Sequence, residues 1–231
     1  YILEDKNLGY SKGHNKIAKL VDTEYLLILN ADCIITEENL CNLYHAHIKY
    51  KNCGITAPTT FDNYNNQTLN GGLLPESGNR DEVIKIVGDT CFQTILGSAM
   101  LLKKKDFIDI GMFNENLFLF YSDDDLCRKF RNLKKSVIQI HKSKAIHVHG
   151  ISKVRNIFKG IYLREFHMTY DELFYYFLSR THYEKYTKLK KKIANYFFKL
   201  ILNLIILNFK KSILYFSRIL AFYKFNKLLR H

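Results

Sequence analysis

Residues 25–32 read Tyr-Leu-Leu-Ile-Leu-Asn-Ala-Asp, and this stretch decides the fold. Five apolar residues without a turn former predict a buried strand over Tyr25–Leu29. The Asn30-Ala31-Asp32 that follows puts a carboxylate at the strand's carboxyl end. Working outward, short apolar runs at 54–57, 98–102, 136–140 and 145–148 read as further strands. Between them lie helical patterns. Thr36 caps a predicted helix running to about Tyr50, with Glu37 and Glu38 in its first turn, where the dipole favours them. Residues 123–134 read as another helix, acidic at its start and basic at its end. Strands alternating with helices predict an α/β layer fold for residues 1–155. Residues 58–95 carry both prolines, several glycines and many asparagines, so a long, irregular surface insertion is expected there.

The chain of 231 residues is 47% hydrophobic, which supports a real core and excludes wholesale disorder. It begins at Tyr1 without an initiator Met or a signal-peptide pattern, which reads as a fragment of a longer chain. The five cysteines, at 33, 41, 53, 91 and 127, form no C-x-x-C pair. Their spacing argues against a disulfide framework or zinc knuckle and for a reducing compartment.

The net charge of +13 is unevenly placed: residues 185–231 hold twelve Lys and Arg and no Asp or Glu, leaving the rest close to neutral. A nucleic-acid-binding protein would spread its basic face over the folded domain, so no nucleic-acid partner is expected. From about Tyr183, polar residues recur at helical spacing, Asn203, Lys210, Ser217, Lys224 and His231 at sevens, with Leu, Ile and Phe between them. This predicts a helix with a narrow polar stripe and a wide apolar face. Its purest stretch, 196–209, would be about 21 Å long, short of the ~30 Å hydrocarbon core. It is expected to lie on an anionic membrane surface rather than to span the bilayer.

Four constellations could carry chemistry. Asp32 after its strand could hold a hard cation against a diphosphate, or simply end the strand. Asp123, Asp124 and Asp125 at a helix start could bind a cation or supply a general base toward an alcohol. Acidic residues also decorate ordinary helix N-termini. His147 and His149 alternate onto one face of a strand, as metal or phosphate ligands or as plain strand-end residues. Residues 7–15, NLGYSKGHN, form a Gly-containing loop opening a helix, where backbone N–H groups could meet an anion.

Taken in order, NLGYSKGHN, LILNAD, GSAMLLKKKDFIDIGMFNENLFLFYSDDDLC and HVHGIS closely resemble family 2 glycosyltransferases of GT-A fold, especially the rhamnosyltransferase-like branch. The resemblance runs from about residue 3 to 152. It implies a GT-A, Rossmann-like mixed sheet flanked by helices, and inverting transfer of a sugar, rhamnose in that branch, from a nucleotide-diphosphate sugar. The acceptor implied is a hydroxyl of a glycan or lipid-linked glycan in cell-surface polysaccharide synthesis. Matched motif by motif, Asp32 becomes the diphosphate and Mg²⁺ or Mn²⁺ carboxylate, with His147 a second metal candidate. Asn7, Gly9, Asn15, Asn30, Gly97 and Ser98 line the donor side. Asp123 matches the base, although the neighbouring Asp124 and Asp125 leave the choice open.

Ala31 and Ser122 depart from the family's usual Pro and Glu. Nothing matches the family's opening strand and V-D-N-x-S-x-D segment, so a sheet lacking its first strands, with an unpaired edge, is expected. The resulting organisation is a catalytic domain over 1–155, a connecting helical segment over 156–184 and basic amphipathic helices over 185–231. These helices would sit on the inner, cytoplasmic face of the plasma membrane. A catalytically inactive peripheral membrane protein built on a glycosyltransferase remnant is the alternative.

Overall fold

The computed structural model describes residues 2–77, 87–148, 154 and 156–230, with the side chains of 182–186 outside that description. It divides into two units, Tyr1–Glu115 with Ser122–Ser152, and Asn116–Tyr121 with Lys153–His231.

The first unit begins with α1 (Gly9–Leu20), β1 (Tyr25–Leu29), β2 (Cys33–Ile35), α2 (Glu37–Lys49) and β3 (Cys53–Phe61). Short strands β4 (Gly71–Gly72), β5 (Thr90–Phe92) and β6 (Thr94–Ile95) come next. The unit ends with β7 (Ala99–Lys103), α3 (Lys104–Asp109), α4 (Ser122–Asn132) and β8 (Ser136–His147). The main sheet has the order β1-β7-β3-β8-β2, with β5 added on β8, and β4 pairs β6 separately. β7 is antiparallel to both β1 and β3, and β3 is parallel to β8. Strands β1, β3 and β8 therefore point the same way, and the amino end of β7 joins their carboxyl ends at one edge. That edge is where ligands gather in open α/β sheets.

Period-two alternation sorts the sheet's side chains into two cores. Ile28, Ile55, Ala57, Met100, Leu102 and Val137 pack with Leu126 and Phe130 of α4 on one face. Leu101, Ile138 and Ile140 pack with Leu43 and Ala46 of α2 on the other. The Thr36 hydroxyl accepts the Asn39 N–H, the cap expected for α2. β1 closes one side of the sheet, and its outer edge has no strand partner among the described residues.

Two expectations need correction. The stretch 58–95 is not all irregular: β3 runs on through Pro58 to Phe61, and β5 joins the main sheet. Pro58 is tolerated because the β3–β8 register shifts between Pro58 and Thr59, and prolines inside sheets sit at such bulges. The two strands expected at 136–140 and 145–148 form one strand, β8, whose pairing jumps from Ile140 to Lys144 across that shift. Side chains from elsewhere serve the jump. Asp89 accepts the His141 N–H, Asn39 Oδ1 accepts the Lys144 N–H, and the Ser143 hydroxyl donates to the Asn39 carbonyl.

The second unit holds α5 (Ile157–Leu178), α6 (His182–Ile205) and α7 (Phe209–Leu228). Leu173, Phe174, Tyr175, Ile193, Phe222 and Phe225 form its core with Leu117. Buried Asp171 accepts the N–H groups of Leu119 and Phe120 at 2.9 and 3.0 Å, anchoring residues 116–121. The compositional boundary at 184/185 falls inside α6, and 156–184 and 185–231 belong to one unit because α5 packs on both later helices. Residues 196–209 are not one helix but the end of α6, a three-residue turn and the start of α7. Asn203 and Ser217, expected in an outward polar stripe, are buried, and His231 lies outside the described residues. Among the described residues no helix is long and apolar enough to cross a membrane.

Candidate active site

At the shared edge of the sheet, β1 ends in a tight turn in which the Cys33 N–H donates to the Asn30 carbonyl at 3.0 Å. The turn feeds β2, whose antiparallel register sets Cys33 opposite His147. The residue before Cys33 is thereby brought to the end of β8. Asp32 Oδ1 lies 3.3 Å from His147 Nε2, and both side chains are mostly buried. Among the described residues no group of three or more His, Cys, Asp or Glu side chains could hold a metal ion, so this pair supplies two donors. His149 and the Gly150–Ile151–Ser152 part of its motif lie outside the described residues.

The amino end of β7 meets the same turn, for the Asn30 N–H donates to the Ser98 carbonyl at 2.9 Å. One residue earlier, the Gly97 N–H donates to Asp123 Oδ2 at 2.9 Å, and the Asp123 carboxylate also accepts its neighbour's N–H from Asp124. The Tyr10 hydroxyl donates to the Gly97 carbonyl at 2.7 Å, tying α1 to the same point. A Cβ on Gly97 would overlap that hydroxyl and stand 3.3 Å from the Asp123 Cβ, so only glycine fits.

Of the three successive carboxylates, one faces outward. Asp124 and Asp125 are each 1% exposed, and Asp123 is half-buried. Asp124 accepts the Thr94 hydroxyl at 2.7 Å. Asp125 pairs with Arg128 at 2.5 Å and Lys129 at 3.4 Å. The geometry of Asp125 is that of a buried ion pair bracing α4, which leaves Asp123 as the accessible member of the three carboxylates.

The α1 loop divides its roles. Asn7 Oδ1 accepts the Gly9 N–H at 2.9 Å, and Gly9 holds φ +77°, a left-handed turn that glycine adopts without strain. Asn15, read as a donor-side residue, is instead buried and committed to the protein. Its amide exchanges two 3.0 Å hydrogen bonds with the backbone of Phe113 and reaches Glu115 at 3.2 Å. Tyr10 stood in the sequence pattern without a role, and the structure gives it one. Burial, reinforced by the negative charge of Asp123, pushes its phenol pKa well up, so it stays a donor to Gly97. Ser11 and Ser122 share a buried hydroxyl pair at 2.8 Å, locking α1 to the start of α4. Burial lowers the pKa of His14, whose Nδ1 faces the Tyr10 carbonyl.

With this geometry in place, the relatives fall into line. Residues 1–108 match the model of the family described as "Glycosyl transferase family 2". The matched stretch carries the α1 loop, the Asn30–Asp32 turn and Gly97–Ser98. A relative from Haloferax volcanii, "Low-salt glycan biosynthesis hexosyltransferase Agl10", is 27% identical over 170 residues, which are 67% of this chain and 53% of Agl10. The chain spans about half the length of that curated relative. The crystal structure of GalNAc-T7 with UDP, GalNAc and Mn²⁺ superposes with a TM-score of 0.53 at 11% identity, over 73% of this chain and 37% of that one. At that identity the likeness shows the fold, a mixed sheet flanked by helices as in GT-A proteins.

Proposed function

We propose that this protein is a glycosyltransferase, moving a sugar from a nucleotide-diphosphate sugar to a hydroxyl of a glycan or lipid-linked glycan with inversion at the anomeric carbon. One observation carries the reading: Asp123, the accessible carboxylate of its cluster, is fixed through Gly97 to the same sheet edge that holds Asp32 and His147. In this reading Asp123 takes the acceptor proton while the acceptor oxygen bonds to the anomeric carbon. The bond from that carbon to the diphosphate oxygen breaks in the same step. A single in-line displacement inverts the carbon and requires no enzyme nucleophile. Asn7, Gly9, Asn30, Gly97 and Ser98 shape the donor side, and Asn15 braces the loop from behind.

Asp32 and His147 are the residues that would hold Mg²⁺ or Mn²⁺. The donor set fits, because a carboxylate oxygen and an imidazole nitrogen 3.3 Å apart can occupy neighbouring ligand positions. A hard cation with so few protein donors takes its other ligands from phosphate and water. Such an ion would supply positive charge opposite the departing diphosphate. The Mn²⁺ named with UDP in the GalNAc-T7 structure supports the same choice.

The finer assignments are part of the proposal. The sugar is rhamnose, by the motif branch, and the acceptor belongs to cell-surface polysaccharide synthesis. The protein works on the cytoplasmic face of the plasma membrane as a peripheral protein. Five free cysteines suit that compartment. The test is nucleoside diphosphate release from a panel of nucleotide sugars, with Mn²⁺ or Mg²⁺ and a lipid-linked glycan acceptor, followed by NMR of the product's anomeric proton. Inverted product with one donor supports the reading. Retained configuration, or no release with any donor, overturns it.

A further inference from the structure

Near the turn that joins them, α6 and α7 are arranged inside out. Asn203, Ser212 and Ser217 are buried. Phe198, Ile201, Ile205, Ile206, Leu207 and Phe209 are each more than half exposed, Ile205 at 73%. The buried polar groups need no water. Asn203 Nδ2 donates to the Lys199 carbonyl at 2.7 Å, the Ser212 hydroxyl to the Asn208 carbonyl at 3.0 Å, and the Ser217 hydroxyl to the Ile213 carbonyl at 2.6 Å. Buried, self-satisfied polar residues, with large apolar residues outside, are the pattern of helices that face lipid. The rest of the unit has an ordinary aromatic core, so the inversion is local to this helical hairpin.

The turn itself carries the same mark. α6 ends in a Schellman motif, the Asn208 N–H donating to the Asn203 carbonyl and the Leu207 N–H to the Leu204 carbonyl. The left-handed position of that motif is ordinarily glycine. Here it is Leu207, at φ +56°, so a strained backbone holds a large apolar side chain outward. The charges point to one kind of apolar medium. No acidic residue occurs in 185–231, and exposed Lys210 and Lys211 occupy the first turn of α7, where the helix dipole already disfavours cations. An anionic surface relieves that repulsion.

We propose that the α6–α7 turn and the outer faces of the adjoining helix ends insert into one leaflet of an anionic membrane, with Lys210 and Lys211 at headgroup level. This deepens, and rests on, the peripheral-membrane reading above. Phe198 to Ile205 spans about 10 Å of helix, which matches the ~5–10 Å depth of interfacial helices. Lys199, whose ammonium lies over the Tyr215 ring at 5.8 Å, and the two turn lysines limit the insertion to that depth.

The protein contains no tryptophan, so one introduced indole reports alone. Phe209→Trp marks the turn, and Phe158→Trp, exposed on α5, is the control; both are checked for native helicity by circular dichroism. The probes are vesicles of phosphatidylcholine with or without 30 mol% phosphatidylglycerol, carrying doxyl quenchers near the headgroup. With anionic vesicles, the indole at 209 should shift to the blue and be quenched, and the indole at 158 should do neither. Lys210→Gln with Lys211→Gln should weaken binding about 30-fold at low salt, from ~1 kcal/mol for each lysine. If the protein binds vesicles while the indole at 209 stays unquenched, the inserted turn is refuted and the peripheral reading stands. If it ignores vesicles at low salt and the indole at 209 shifts only on concentration-dependent dimerisation, a second copy covers this face and both readings fail.

Discussion

Asp123→Asn and Asp125→Asn should both abolish sugar transfer under ordinary assay conditions, but for different reasons that the structure separates. Asp125 is buried in an ion pair with Arg128 and Lys129. Breaking a buried pair by neutralising one member costs ~3–5 kcal/mol, and the lower end applies because Asn keeps a carbonyl acceptor. For a chain of this size about 3 kcal/mol lowers Tm by roughly 6–12 °C. Asp123 is half-buried and its carboxylate accepts two backbone N–H groups, from Gly97 and Asp124. Asn at 123 loses the proton acceptor and must turn its amide N–H₂ toward one of those donors. The expected stability loss is ~1 kcal/mol, one hydrogen bond. The loss in turnover should be ~10²–10⁴-fold, with donor KM little changed. The assay is nucleoside diphosphate release at 15 °C beside a thermal melt of each variant. At that temperature Asp125→Asn should recover a large part of wild-type turnover, and Asp123→Asn none. Full turnover by Asp123→Asn would refute the assignment of the base. A stable but inactive Asp125→Asn would move that role to Asp125.

Gly97→Ala should cost ~1–3 kcal/mol, because the added Cβ overlaps the Tyr10 hydroxyl, and should lower turnover on the order of 100-fold by displacing Asp123. Adding Tyr10→Phe should restore part of the stability, and strictly additive losses in the melt would show that the two side chains do not meet. His47 is buried with neither ring nitrogen hydrogen-bonded, and burial, with the nearby positive charge of Lys103, lowers its pKa to about 4. The unfolded chain binds that proton near pH 6.5, so the contribution is complete above pH 6.5 and is lost as pH falls toward 4, up to ~3 kcal/mol in all. Urea midpoints from pH 7 to 4 should show this slope, and His47→Phe should flatten it.

What could be read from sequence was local. The strand YLLIL and the Thr36 cap need only neighbouring residues, and both fall where expected. The continuity of β8 could not be read this way. His141-Lys142-Ser143-Lys144 looks like a turn, and only Asn39 and Asp89, distant in sequence, make it part of a strand. The site shows the same division. The motif order marked Asp32, Gly97, Asp123 and His147, but it could not tell a residue that faces a ligand from one that braces the residues that do. Asn15 and Asp125 are braces, a distinction that rests on Phe113 and Arg128 rather than on either residue's own type. Tyr10 is recognisable only once Gly97 is placed beneath its hydroxyl.

The helical hairpin shows why a polar stripe does not by itself reveal its direction. Heptad spacing set Asn203, Lys210, Ser217 and Lys224 on one side, but the turn at 206–208 interrupts it, so Asn203 and Ser217 are buried while Lys210 and Lys224 are exposed. In water the apolar side turns inward, because burying it yields ~25 cal/mol per Å² and burying an amide or hydroxyl costs free energy unless it is hydrogen-bonded. That second condition is met within each helix, since all three buried polar side chains donate to carbonyls four residues back in the chain. Once the polar side carries no penalty, what decides the direction is what the other side meets. Phe198, Ile201 and Ile205 are exposed, while Asn203 beside them is buried. Midway along α6 the same unit buries Ile193 in the usual way. Ile193, the partly buried Tyr196 and Leu200, and Asn203 lie at helical spacing on one face, so it is the residue type on that face that changes toward the turn. That change lies beside Leu207, Lys210 and Lys211, and the proposed lipid surface would account for all three together.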